Sequence, residues 1–200
     1  MAKQISGSAG AGGRASKAAA NAKVAPDTSG DDATAATVGG SAVAVGDDTL
    51  ATGNVSLTMV DRGSVTSVRG EATTSAAATG GGTYAAAETY ADVEGADFVL
   101  TRTVTSSGSG SGSSTATSTT KVTALTFENF DLPGGTLELN FEHERQSSGR
   151  VEDGQLDGNA AAVRAEATVI GDDSAALTQT DSLAADGFST ISGDAYVFLG

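Results

Sequence analysis

The chain contains no cysteine and no tryptophan, a single histidine, two prolines, three tyrosines and six phenylalanines among its 200 residues. Without cysteine there can be no disulfide framework, no thiolate metal site and no cysteine nucleophile. With His143 alone, a transition-metal site of the usual kind lacks its second imidazole. On a strand, Glu142-His143-Glu144 points both glutamates to the face opposite the histidine, and no nucleophile elbow accompanies it. No stretch reaches the roughly 18 apolar residues of a membrane-spanning helix. Gly7–Gly13 lacks the Lys-Ser/Thr of a phosphate loop, and the absence of tryptophan leaves a sugar-stacking cleft poorly furnished. The sequence therefore carries no catalytic signature, and the expectation is a protein that is not an enzyme.

What is abundant is small. Glycine numbers 27, and much of the 38% hydrophobic content is alanine, which removes little area from water. A thin core follows. Valine, leucine, isoleucine and phenylalanine still recur in periodic runs, so the chain is not disordered in composition.

Charge is lopsided. The formal net charge is −14, which argues against nucleic acid as a partner because phosphates would be repelled. Within Met1–Ala25 the only charged residues are Lys3, Arg14, Lys17 and Lys23, leaving seven basic against 25 acidic side chains in the rest. A basic arm on an acidic body is electrostatically complementary between copies. Met1–Gly39 reads as an extended arm rich in Ala, Gly and Ser, with a short helix over Arg14–Val24 as the competing reading. It has no contiguous apolar stretch of the kind a cleaved export signal needs.

From residue 40 onward the patterning is that of strands in one domain, 40–200. Val55, Leu57 and Met59 share a face, as do Phe98, Leu100 and Val104; Ala160–Ile170 alternates as well, and Thr83–Val93 does so more weakly. Residues 106–114, SSGSGSGSS, read as a flexible loop joining two strands. The clearest signal is Lys121–Arg145, where two alternating runs flank Pro133-Gly134-Gly135. That pattern predicts a β-hairpin with Leu137, Leu139 and Phe141 turned to the core. Many short strands with Gly/Asp turns and no long helix predict an all-β domain, an antiparallel β-sandwich or a barrel-like, jelly-roll-like fold, carrying an extended N-terminal arm.

One motif echoes. Val45-Gly46-Asp47-Asp48-Thr49 resembles Ile170-Gly171-Asp172-Asp173-Ser174, with a shorter version at Gly30-Asp31-Asp32. Paired carboxylates at a strand end suit a hard cation, which makes Asp47, Asp48, Asp172 and Asp173 candidate calcium ligands. The same residues suit a plain turn, and two aspartates fall short of the roughly six to eight oxygens calcium prefers.

The last stretch, Asp181–Gly200, is acidic, free of basic residues and ends on Tyr196-Val197-Phe198-Leu199. It resembles the uncleaved C-terminal secretion signal of type I (ABC-transporter) exported bacterial exoproteins, without the calcium-binding repeats of that group. The resemblance implies an extracellular or cell-surface protein exported without a cleaved N-terminal signal. Together these readings point to a self-assembling fibre or surface-layer subunit, a homo-oligomer or polymer. Its assembly arm would be Met1–Val45, donating a strand through Lys3, Ile5, Arg14, Lys17, Lys23, Val24, Val43 and Val45. The alternatives are a calcium-dependent adhesin or carbohydrate-binding sandwich and a viral fibre or capsid decoration protein. Adaptation to high salt would also account for the acidic surface.

Overall fold

The structure is a computed structural model that describes residues 33–128, 136–146 and 156–200. These residues form ten strands and no helix: β1 (Thr34–Val45), β2 (Asp48–Asp61), β3 (Val65–Thr79), β4 (Tyr84–Glu94), β5 (Phe98–Gly110), β6 (Ser113–Phe127), β7 (Leu137–Gln146), β8 (Asn159–Ile170), β9 (Ser174–Ala185) and β10 (Phe188–Leu199). A four-stranded sheet, ordered β4-β1-β10-β9, packs on a six-stranded sheet, ordered β7-β5-β6-β3-β2-β8. The sheets do not close, so the fold is a β-sandwich rather than a barrel. All neighbours run antiparallel except the outermost pairs of the larger sheet, where β7 lies parallel to β5 and β8 parallel to β2.

Several sequence expectations change here. The hairpin across Pro133-Gly134-Gly135 does not form, although its turn itself lies outside the described residues. Both edges of β6 are already paired, one with β3 and the other with β5. The next strand therefore takes the free edge of β5, and because β7 and β5 start at the same end of the sandwich they run parallel. Residues 106–114 are not a flexible loop. Serine and glycine there build the ends of β5 and β6, which pair through Gly110↔Ser113 and leave only Ser111-Gly112 as the turn. Gly112 takes φ 74, which suits a residue without a Cβ. Strand β1 begins at Thr34 and so takes in residues 34–39 of the stretch read as an arm. The competing helix over 14–24 falls outside the described residues.

The interior is built of small side chains. At the end carrying the Arg62–Ser64 turn it holds Val38, Val55, Leu57, Met59, Val68, Val122 and Val197, all at most 2% exposed. Toward the Gly46 end it thins to an alanine cluster of Ala42, Ala44, Ala51, Ala76, Ala78 and Ala116 around Ile191. Where apolar bulk runs out, hydroxyls fill the gap and bond to one another, as buried polar groups must. Thr89 Oγ1 meets Ser118 Oγ at 2.7 Å and Thr120 Oγ1 at 2.8 Å, and Thr103 reaches the same Thr120 at 2.8 Å. Thr49 Oγ1 donates to Asn159 Oδ1 at 2.6 Å and lies 2.6 Å from Ser189 Oγ. Among the described residues only Ser113 Oγ is buried without a partner.

The aromatics are elsewhere. Strand register places Tyr84, Tyr90, Phe188, Tyr196 and Phe198 on the outer face of the four-stranded sheet, and Phe98, Phe127 and Phe141 on that of the six-stranded sheet. None of these eight belongs to the buried core. The face of β5 carrying Phe98, Leu100 and Val104 is likewise the outer one, since its neighbour Val99 is the buried residue.

Candidate assembly surfaces

A sandwich of two open sheets leaves four edge strands, and each edge offers unpaired backbone groups to another chain. Natural edges are protected by charge, proline, bulges or covering elements. Three of the four here carry two or more charged side chains. Strand β4 bears Glu88, Asp92 and Glu94, all exposed, and β8 bears an Arg164–Glu166 ion pair at 3.2 Å. Strand β7 overhangs the smaller sheet, so Glu138, Glu142 and Glu144 occupy the face that would otherwise turn inward. Its Leu137, Leu139 and Phe141 are 51%, 40% and 58% exposed on the outer face, not buried as the alternation predicts.

Strand β9 differs. Its sequence SAALTQTDSLAA has one charge, Asp181, no proline, and all twelve residues exposed. The row that continues the inner face of β10 is Ser174, Ala176, Thr178, Thr180, Ser182 and Ala184, as the pairing Ile191↔Ser182 and Ala195↔Thr178 requires. The outer row carries Leu177 and Leu183, each 55% exposed. Sequence reasoning missed this strand because neither of its faces is buried, so no alternation marks it.

The residues singled out from sequence fall in several places. Val43 and Val45 stand in β1, hydrogen-bonded to β10 on one side and β4 on the other. Lys3, Ile5, Arg14, Lys17, Lys23 and Val24 lie outside the described residues, as does Gly30-Asp31-Asp32. Asp47 sits in the β1–β2 turn and Asp48 opens β2 beside it, whereas Asp172 and Asp173 sit in the β8–β9 turn at the opposite end. The twelve residues of β8 separate them by roughly 36–40 Å at about 3.3 Å per residue. The two pairs are therefore not brought together. Each of the first pair already accepts backbone hydrogen bonds: Gly81 N–H donates to Asp47 Oδ2 at 3.2 Å, and Gly158 N–H to Asp48 Oδ1 at 2.8 Å. Among the described residues no three carboxylate or imidazole groups gather to hold a metal ion.

Across the outer face of the smaller sheet, Tyr90 on β4 reaches over Gly39 of β1 and donates its hydroxyl to Asp194 Oδ1 on β10 at 2.6 Å. A Cβ at Gly39 would collide with both side chains. Burial pushes the Tyr90 hydroxyl well above its ordinary range, with the Asp194 bond and charge adding to it. Burial also raises Asp194, assisted by the Asp181 carboxylate and opposed by the tyrosine bond.

Among the described residues, one shallow depression is lined by Ser64, Val65, Phe127 and Glu128 and another by Thr83, Tyr84 and the Ser/Gly ends of β5 and β6. Neither assembles a nucleophile, a base and an oxyanion donor. The described residues contain no helix long and apolar enough to cross a membrane. Compared with known proteins, the chain matches no family model, and no curated protein or solved structure is detectably similar to it.

Proposed function

We infer that the protein is a structural subunit, extracellular or at the cell surface, that polymerises by strand addition. The supporting observation is the β9 edge, twelve residues long, exposed on both faces and bearing one charge. Such an edge is a template for a further strand. With Val43 and Val45 already paired inside β1, the donor narrows to residues 1–32 of a neighbouring copy. At most about 3.3–3.6 Å per residue, that length can span the whole of β9. Its four basic residues, Lys3, Arg14, Lys17 and Lys23, would meet an acidic body. The row of Ser, Ala and Thr on β9 would pair across the strands with small side chains of a donor rich in Ala, Gly and Ser. Placement outside the cell rests on the resemblance of Asp181–Gly200 to a C-terminal export signal. That stretch forms the end of β9 and all of β10, so a transporter would read it before the sandwich closes around it.

Electron microscopy in high salt, where contacts held only by charge are screened, of the full chain beside a chain lacking residues 1–32 tests the reading. Filaments are expected only with the arm, and the deletion should stay folded because β1 is kept whole. A second variant, Thr178→Lys/Thr180→Lys, places charge on the acceptor row and should block polymers while leaving circular dichroism unchanged. Polymers that persist in both would refute strand addition along β9.

A further inference from the structure

Charge on the body is sorted by face. Strand register puts Glu88, Asp92 and Glu94 of β4, Asp181 of β9 and Asp194 of β10 on the outer face of the four-stranded sheet. No lysine or arginine among the described residues shares that face. The outer face of the six-stranded sheet carries Arg69 of β3, Arg102 of β5, Lys121 of β6, Arg145 of β7 and Arg164 of β8. Among the described residues, apart from Asp48 at its rim, its acids are Glu71 and Glu166, both neutralised in ion pairs, Lys121–Glu71 at 3.0 Å and Arg164–Glu166 at 3.2 Å. A chain with a formal charge of −14 thus presents one broad face that is net positive.

Both faces also hold large apolar side chains, among them the aromatic ones that the interior lacks. On the basic face Phe98 pairs with Leu125 on one side and Leu137 on the other, and Leu100 stands beside Leu139. On the acidic face the apolar residues are Tyr84, Phe188 and Leu183 near one end and Tyr196, Phe198 and Leu177 near the other. Aromatic and arginine side chains on facing surfaces are the composition of a protein interface, and arginine over an aromatic ring is itself attractive.

We propose that the occupant of each face is a second copy of this chain, the acidic face of one molecule stacking on the basic face of the next. Pairing either face with itself would oppose like charges, five acidic groups against five on the smaller sheet, which disfavours a two-fold dimer. The extent is adequate. Four strands spaced about 4.8 Å and about twelve residues at about 3.3 Å give a face of roughly 760 Å², close to the roughly 800 Å² per partner of a stable interface. Because the two faces lie on opposite sides of one molecule, the contact is heterologous and does not close, so it propagates as an open stack. The stack needs neither the arm nor the β9 edge and adds a second direction of growth to strand addition.

Charge exchange in the full chain tests it. Arg69→Glu/Arg102→Glu inverts part of the basic face and Glu88→Lys/Asp92→Lys part of the acidic one. All four residues are exposed and outside the ion pairs described above. Sedimentation at low ionic strength should show the native chain associating with concentration and dissociating with added salt. Each variant alone should associate at least about tenfold more weakly, and an equimolar mixture should recover association in alternating order, since each altered face then meets its complement. A native chain that remains monomeric, a variant that associates like the native chain, or a mixture that stays apart would overturn the stack. Restoration in the mixture cannot come from the arm, which both variants retain unchanged. Loss of polymers on deleting residues 1–32 with both face variants behaving like the native chain would leave strand addition standing alone.

Discussion

Gly70 on β3 offers the sharpest test of how thin the interior is. It faces inward between Leu57 of β2 and Val122 of β6. A Cβ added there would lie 2.5 Å from Val38 Cγ2, 2.9 Å from Val122 Cγ1 and 3.0 Å from Leu57 Cδ1. Carbon atoms prefer about 3.5–4.0 Å, and these three neighbours are 0%, 2% and 1% exposed, so none has open space to retreat into. Overpacking of this kind costs about 1–3 kcal/mol. Replacing glycine also stiffens the unfolded chain, which returns about 0.4–1 kcal/mol. The steric term wins, and Gly70→Ala should lose about 1–2 kcal/mol, read as a lower urea midpoint at unchanged slope and a melting temperature lower by about 2–8 °C. Val38→Ala removes the nearest methyl groups and should itself cost about 2–3 kcal/mol. The double variant should then be less destabilised than the two losses added together, by about 0.5 kcal/mol or more, because the new methyl occupies vacated space. A Gly70→Ala variant that is as stable as the native chain, or strictly additive costs in the pair, would refute the close approach of the sheets at this point.

Two further outcomes follow from side-chain bonds. The Asp194 carboxyl is held above its ordinary range chiefly by burial, so its contribution to stability is fully present below the unfolded carboxylate value and is lost as pH rises through the folded one. Asp194→Asn keeps an acceptor for the Tyr90 hydroxyl without the charge. It should melt higher than the native chain at neutral pH, with the advantage vanishing below about pH 4, and an equal difference across a pH series of thermal melts would contradict this. Asp48→Ala removes the acceptor of Gly158 N–H and of the Thr79 hydroxyl, at 2.8 and 3.4 Å. It should cost about 1–2 kcal/mol by denaturant titration. The loss should be the same in calcium and in chelator, whereas a difference between the two would return Asp48 to the role of a ligand.

The fold class was legible because Val55-Leu57-Met59 and the Gly/Asp turns follow ordinary strand periodicity. Which face turned inward was legible only in part. Size was the misleading signal: Phe98, Leu100, Leu137, Leu139 and Phe141 alternate as core residues do, yet they face outward. Their inward-facing neighbours on β5 and β6 are Val99, Val122 and Ala124, which fill the interior at that end. The pairing of β7 with β5 depends on both edges of β6 being occupied, a fact about register that no local pattern encodes. The same holds for the charges. Arg69, Arg102 and Lys121 are far apart in sequence, and only the register of β3, β5 and β6 puts them on one surface. The Gly-Asp-Asp echo was visible but its meaning was local: Asp47 and Asp48 bond the turns beside them, and nothing in the repeated sequence reveals that the second copy sits at the other end of the sandwich.

A sandwich built this way links folding to association. Burial stabilises in proportion to apolar area, and a side chain such as Ala78 removes far less area than the leucines and phenylalanines left outside. In an isolated molecule Leu139, Phe141, Leu177 and Leu183 remain 40–58% exposed and add little to the stability of the fold. In the proposed stack those lying under the contact are covered, so each contact supplies burial that the interior lacks. Association of this kind involves only the folded form. A neighbouring copy at about 100 times its dissociation constant would therefore stabilise each molecule by about 2.7 kcal/mol, a large fraction of the total for a domain of ordinary stability. Small residues inside and aromatic residues outside are then one property rather than two: the thin core lets the two sheets lie close and leaves the aromatic side chains free to join molecules.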